Sequence, residues 1–429
     1  MHDPDRWREF ALGDVASVTV GGTPSTAVAS FWGGDVPWMA SGDVHQRRIV
    51  EVPGRISALG LRSSNATLVD PPSVAIGLAG QGKTRGTAAL VERRLCTNQS
   101  VALISGDAEH VLTSYLFHDL DRRYEELRTS SSGGGRGGLS KAILERIPLR
   151  LPSMREQSLI SQILDTVDEA VRSTESLIAK LEQMTQGFLH DLLTRGVNDN
   201  GELRDLVSHP EEFIESPIGL IPRAWSLSTV HSEFDVRSGI TLGPERAPVR
   251  NASPYLRVAN VYRGRLALDD VAFLQASKTE RAEYSLRMDD LLVVEGHANP
   301  HEIGRCASVT APATGLLYQN HLFRLRARRM SPRFSELWLN SSVVRSYWYR
   351  TCSSSSGLNT INSKQLKAVL VAVPLPHEQE SIVRAHESMF DRLRSERNVL
   401  DKLQDLRAGL MDDLLTGRVR VKVDEEDAA

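Results

Sequence analysis

Pro152-Ser153-Met154-Arg155-Glu156-Gln157 opens a stretch that returns later in the chain, where Pro374, Glu378 and Gln379 stand at an offset of 222 residues. At the same offset Lys180-Leu181 returns as Lys402-Leu403, and Gly187 as Gly409. Asp191-Leu192-Leu193-Thr194 returns as Asp413-Leu414-Leu415-Thr416. No insertion is needed across the whole match. Identity spread over that length without a gap marks a duplicated unit rather than shared composition.

Both stretches read as long helices. In the first, Ile160, Leu164, Val167, Val171, Ile178, Leu181, Met184 and Phe188 recur at spacings near three and four. In the second, Ile382, Met389, Leu393, Leu400, Leu403, Leu406, Leu410 and Leu414 do the same. The period is close to 3.5, as in a coiled-coil seam. No Pro or Gly interrupts from Ser153 to Gln186, and Pro152 and Pro376 sit where a helix would begin. At 1.5 Å per residue, about 40 residues make a rod of roughly 60 Å. Such a helix exposes an apolar stripe that must be covered, and two copies in one chain cover it most simply by packing on each other. The candidate helix–helix or subunit interface is therefore Ile160, Leu164, Val167, Val171, Leu181, Met184 and Phe188, with Met389, Leu393, Leu403, Leu406 and Leu410.

The blocks ahead of the helices also correspond, more loosely. Pro37-Trp38-Met39 matches Pro254-Tyr255-Leu256, and Thr97-Asn98-Gln99 matches Gln319-Asn320-His321. Short apolar runs predict strands over 74–78, 87–91 and 100–104 in the first block, and over 255–262, 290–295 and 321–327 in the second. Helices are expected over 110–128 and 333–350. Ser/Gly-rich loops follow, Ser130 to Gly138 and Ser353 to Gly357. The fold class is α+β: two pseudo-repeated mixed α/β globules separated by two long antiparallel coiled-coil helices. The expected boundaries are 1–151 for the first globule, 152–197 for the first long helix and 198–216 for a linker. The second globule takes 217–375, the second long helix 376–420, and an acidic tail 421–429.

Net charge is −3, which at first argues against nucleic acid. Its distribution argues the other way: residues 1–150 carry a net +1 and residues 215–375 a net +7, while 152–200 and 376–429 each carry −4. Positive charge belongs to the globules, and the acidic, apolar-striped helices suit protein partners better than DNA. No apolar run reaches the roughly 18 residues of a membrane span. The three cysteines, Cys96, Cys306 and Cys352, form neither a CxxC pair nor a zinc pattern, which points to a reduced, cytoplasmic protein.

Three motifs carry a suggestion of catalysis. Gly77-Leu78-Ala79-Gly80-Gln81-Gly82-Lys83-Thr84 fits the phosphate-loop pattern. That motif should open a helix, whereas Arg85-Gly86-Thr87-Ala88-Ala89-Leu90-Val91 reads as turn and strand. Asp70-Pro71-Pro72-Ser73 has the beginning of an amino-methyltransferase tetrad but lacks its aromatic residue. His297 and His301 are four apart, but Pro300 between them forbids an ordinary helix. A strand-connecting loop, a turn entering a strand and a loop pair are the favoured readings, with no catalytic, cofactor or metal residue.

The layout resembles the specificity subunit of type I restriction–modification enzymes. The resemblance is carried by Gly21-Gly22-Thr23-Pro24-Ser25, Trp32-Gly33-Gly34-Asp35-Val36-Pro37-Trp38, Ser41-Gly42-Asp43-Val44, Asn98-Gln99, Leu139-Ser140-Lys141 and Ile147-Pro148-Leu149, together with the proline and Glu-Gln start of each long helix. Ser238-Gly239-Ile240-Thr241-Leu242 departs from the Gly-Gly-Thr-Pro turn in the second copy. The resemblance implies that each globule is a target recognition domain reading one half of a bipartite, asymmetric site in double-stranded DNA. It implies a chain without chemistry or cofactor of its own, docking two methyltransferase subunits and restriction–motor subunits. The rival functions are an ATP- or S-adenosylmethionine-using enzyme, resting on the weak motifs above, and a coiled-coil protein adaptor, which the basic second globule disfavours.

Arg324, Arg326 and Arg328 alternate along a strand-like run, which places them on one face. Arg257, Arg263 and Arg265 form a second cluster, with Arg305 beside the 297–304 loop. In the first globule the DNA-binding candidates are Arg47, Arg48, Lys83, Arg85 and Arg136. Cations of this kind mainly hold phosphates, and base edges supply sequence information.

Overall fold

The fold is described from a computed structural model covering residues 7–80, 82–130, 138–249, 251–355 and 357–422. The chain divides into two compact units. The first takes residues 1–176 and 397–429, and the second takes 177–396. Each unit therefore contains one globule, the first half of one long helix and the second half of the other.

In the first unit a five-stranded sheet runs in the order Ala16–Val20, Val101–Gly106, Ser73–Gly77, Ala88–Val91, Arg48–Ile49. The first three pairings are antiparallel and the last is parallel. Alternation sends Val74 and Ile76 to one face, against Leu116, Phe117 and Leu120 of the helix Thr113–Arg122. Ala75 and Leu103 go to the other face, against Met39, Val44 and Ile49. A smaller sheet orders Arg55–Ile56, Trp32–Met39 and Cys96–Thr97. An antiparallel ribbon, Arg8–Ala11 with Pro148–Leu151, closes the globule just ahead of the first long helix.

The second unit repeats this plan. Phe234–Ser238, Leu322–Ala327, Leu291–Val294 and Cys306–Ser308 form an antiparallel sheet in the same order. Ala272–Leu274, Ser253–Leu256 and Leu317–Tyr318 form the small sheet. Ser226–Thr229 with Leu370–Val373 forms the closing ribbon. The structure corrects one sequence match by a residue. Cys96–Thr97 pairs with Trp38 and Met39 as Leu317–Tyr318 pairs with Tyr255 and Leu256. Asn98 therefore corresponds to Gln319, and Gln99 to Asn320.

The long helices are Met154–Thr194 and Pro376–Leu415, of 41 and 40 residues. The repeated glutamines do the same work twice. Gln157 donates to the carbonyl of Pro152 and accepts from the amide of Leu112. Gln379 donates to Pro374 and accepts from Ser331. The repeated glutamates are both buried and both meet an arginine that follows a long helix. Arg420 grips both oxygens of Glu156 at 2.7 and 2.8 Å. Arg204 grips those of Glu378 at 2.5 and 3.2 Å. In the first unit Glu156 meets Arg420 and Asp168 meets Arg407, so the two helix segments there run antiparallel.

Three expectations change. The helix expected over 110–128 is two, Thr113–Arg122 and Tyr124–Thr129, and that over 333–350 is Pro332–Leu339 and Ser342–Thr351. The strand expected over 255–262 is interrupted by a tight turn at Val258–Asn260. The expected linker 198–216 carries structure of its own: Val197 bridges to Leu203, and Phe213–Ser216 pairs with Gly219–Pro222. Of the expected helix-interface residues, Ile160, Leu164, Leu181 and Leu393 are buried. Val167, Val171, Phe188, Met389, Leu403 and Leu410 are partly buried. Met184 and Leu406 are half exposed, because helix packing within this chain covers only a narrow stripe.

Candidate nucleic-acid interface

A cation is available to a phosphate when no carboxylate of its own chain already holds it. That criterion divides the expected DNA-binding residues sharply. Arg47 bonds Asp121 and Asp168 at 2.9 and 2.8 Å, and Arg48 bonds Glu92 and Asp165 at 2.5 Å each. These two arginines fasten the first globule to the long helices, so the structure places them in packing rather than on a free surface. Burial works against the charge of Asp168, but Arg47 and Arg407 outweigh it and hold its carboxyl below the ordinary range.

The strand arginines are corrected in the same way. Arg324 is buried, with Nη2 at 2.5 Å from Asp235. Arg326 donates Nε and Nη2 to the two oxygens of Asp290, each at 2.7 Å, and Asp290 is 1% exposed. Period 2 does put both on one face, but that face meets acids from neighbouring strands. Arg257 is taken by Asp270, and Arg305 by Glu302 and the Val258 carbonyl. Arg136 lies outside the described residues.

The other candidates sit on loops. Lys83 is exposed and Arg85 half-buried on the connection between Ser73–Gly77 and Ala88–Val91. Tyr124 and Arg128, on the helix that leads into the Ser/Gly-rich loop, donate to the carbonyls of Lys83 and Gly82 and so brace that connection. Arg328 is exposed just past the strand, with no carboxylate partner among the described residues. Arg263 and Arg265 flank the tip of the hairpin Val261–Tyr262 with Arg265–Leu266, and Gly264 turns it at φ +71°. Arg265 lies over the Tyr262 ring at 4.8 Å. Arg263 reaches the side chain of Asn340 and the carbonyl of His301. Sequence reasoning missed Arg345 and Arg350 on the neighbouring helix Ser342–Thr351, both exposed.

The phosphate-loop pattern does not build a nucleotide site. Gly77 ends a strand, Gly86 donates back to its carbonyl, and the next element is the strand Ala88–Val91 rather than a helix. The Thr84 hydroxyl, which a magnesium ion would need, contacts His45 at 3.2 Å. For Lys83→Ala the expected result is no change in ATP retention by filter binding. The slope of DNA affinity against salt should fall by about 0.9, the value of one phosphate contact. Ser73 begins a buried strand, as expected of a turn entering a sheet. No cluster of three metal-ligand side chains occurs among the described residues, and no helix there is long and apolar enough to cross a membrane.

Both units combine a sheet of matching strand order with a smaller three-stranded sheet, and each carries exposed cations on loops. Residues 4–183 match the family described as Type I restriction modification DNA specificity domain. The chain is similar to type I restriction enzyme specificity subunits over most of its length. It is 24% identical to the EcoKI specificity subunit of Escherichia coli (strain K12) over 323 residues, 74% of this chain and just under two thirds, 66%, of that relative. It is 20% identical to the MjaIX specificity subunit of Methanocaldococcus jannaschii over 98% of this chain and 95% of the relative. Among solved structures, the type I S subunit from M. genitalium superposes with a TM-score of 0.54 at 14% identity, covering 99% of this chain and 98% of that one. A chain from a structure on complex assembly and conformational transition of the type I system reaches 0.61 at 15% identity, covering 97% and 99%.

Proposed function

We propose that this chain is the DNA-specificity subunit of a type I restriction–modification enzyme. It reads a bipartite, asymmetric site in double-stranded DNA and docks methyltransferase and restriction subunits, without a catalytic site of its own. The observation that carries the reading is the repetition of one strand order in two units, with the sheets of the first unit inside the match to the DNA specificity family. In this reading 1–151 and 217–375 are target recognition domains, with 152–197 and 376–420 as antiparallel coiled-coil spacers. The antiparallel run of Glu156–Arg420 and Asp168–Arg407 supports that arrangement. Two different readers in one chain recognise two different half-sites. Lys83, Arg265 and Arg328 are the expected candidates that the geometry favours for phosphate contact.

The test is adenine methylation read base by base on a plasmid, in cells expressing this chain with the neighbouring methyltransferase. The expected outcome is a split, asymmetric motif with a fixed gap that vanishes when the chain is omitted. Exchange of residues 1–151 for a relative's segment should change one half only. Methylation indifferent to this chain, despite a stable complex, would reject the reading.

A further inference from the structure

One place in the second unit gathers cations around a cavity, and the one acid of the adjoining turn, Glu302, is paired with Arg305. The turn Pro300–Glu302 faces one side of the helix Ser342–Thr351 across a surface cavity of about 440 Å³. Arg345 and Arg350 line the cavity, with Ser342, Ser346, His301 and Tyr349. The imidazole of His301 stacks on the Tyr349 ring, with centroids 5.9 Å apart and planes 15° from parallel. Among the described residues no Asp or Glu lines it. Neither Arg345 nor Arg350 has a carboxylate partner among the described residues, unlike Arg257, Arg305, Arg324, Arg326, Arg329 and Arg333 of the same unit.

A third guanidinium sharpens the imbalance. Arg263 donates to the His301 carbonyl, which couples the basic hairpin tip to the cavity wall. Burial lowers its pKa, and Arg345 pushes it in the same direction against an opposing pull from Glu302. The first unit handles the corresponding place differently. There the turn bearing Arg47 and Arg48 lies beside Ala88–Val91, as the hairpin bearing Arg263 and Arg265 lies beside Cys306–Ser308. Arg47 and Arg48 are neutralised by Asp121, Asp165 and Asp168. At the repeat offset, Asp168 is replaced by Phe390. Uncompensated cations crowded at one site cost free energy, and an anion that enters recovers it.

We propose that the cavity between the 300–302 turn and the helix Ser342–Thr351 seats a backbone phosphate of bound DNA, gripped by Arg345 and Arg350 beside the His301–Tyr349 stack. The inference rests on the DNA-specificity reading and goes beyond it by naming an anchor in the second unit. The anchor adds affinity without reading sequence, since phosphate contacts position the protein and base edges specify it.

The experiment measures DNA affinity of the complex with its methyltransferase, wild type and R345Q/R350Q, on cognate and scrambled duplexes from 50 to 300 mM salt. All substituted side chains are exposed, and R345K/R350K retains the charge as a check. The expected result is a salt slope smaller by about 0.9 in the Gln variant, the value of one phosphate contact. Cognate and scrambled affinities should fall by the same factor, the methylated motif should be unchanged, and the Lys variant should recover most of the loss. Discrimination between cognate and scrambled DNA by the wild type with an unchanged slope in the Gln variant overturns the anchor and leaves the specificity reading standing. No discrimination by the wild type removes the specificity reading itself. Loss of methyltransferase assembly with an unchanged slope overturns the proposal in favour of an acidic protein surface. ATP binding by calorimetry, present in the wild type without DNA and absent in the Gln variant, overturns it in favour of a free nucleotide as the source of the phosphate.

Discussion

Arg324→Glu combined with Arg326→Glu is expected to unfold the second unit rather than to weaken DNA binding selectively. Asp290 is 1% exposed, and Arg326 satisfies both its oxygens while the amide of Arg287 donates to one of them. Removing one member of such a pair leaves a charge in low dielectric, at about 3–5 kcal/mol. A glutamate in its place adds a second negative charge against the first. Arg324 contributes less, because Asp235 is half exposed and water screens that pair. The expected loss is at least about 3 kcal/mol, most of it from the Arg326–Asp290 pair. It is read as an earlier urea transition of one of the two units, with limited proteolysis mapping the cleaved segment to 177–396. Arg328→Glu is the control: it is exposed just past the same strand and should leave the transition in place. A double variant with unchanged stability but reduced DNA affinity would return the strand face to the nucleic-acid interface.

The outcome for these arginines shows where sequence reading stops. The long helices were legible because their signal is local and repeated: an apolar stripe near period 3.5, no Gly or Pro from Ser153 to Gln186, and the return of Glu156-Gln157 as Glu378-Gln379. The central strands were legible from buried runs such as Val74–Ile76 and Leu291–Val294. The break within each globule helix was not, because the apolar periodicity runs past Arg123 and past Asn340 and Ser341. The fate of a cation was least legible. Alternation fixes the face of Arg324 and Arg326, but their partners lie 89 and 36 residues away, and only tertiary pairing brings them there. Arg345 and Arg350 went unnoticed because an exposed helical arginine normally reads as a solvated charge. A usable signal was present: neither has an Asp or Glu three or four residues away to pair with. The duplication itself helps most when the copies differ. The Arg47–Asp168 pair in one unit, and Arg345 and Arg350 without a carboxylate partner among the described residues in the other, mark where two related globules have taken different charge arrangements.

Asp168→Asn carries the second large effect. Asp168 is 7% exposed and is held by Arg47 at 2.8 Å and by Arg407 at 2.5 Å, one from the globule and one from the second long helix. Asp121 accepts from the same two arginines, so four charges form one closed network. An asparagine keeps the volume but leaves two guanidinium groups facing a single carboxylate. Breaking a partly buried network this way costs about 3–5 kcal/mol, nearer the lower figure because Arg47 is one-third exposed. The loss appears as an earlier urea transition of the first unit alone. The pH dependence gives an independent reading. The folded carboxyl of Asp168 sits below its ordinary value, because Arg47 and Arg407 overcome the opposing effect of burial. Its contribution is therefore complete above the unfolded value of about 3.9 and is lost as pH falls through the folded value. Between pH 5 and pH 3 the wild type should lose stability more steeply than Asp168→Asn, which has no proton to gain at this position. The two curves should converge in acid. Parallel curves would mean that the network adds no net stability, and that Arg47 and Arg407 fix geometry between globule and helix without holding it in place.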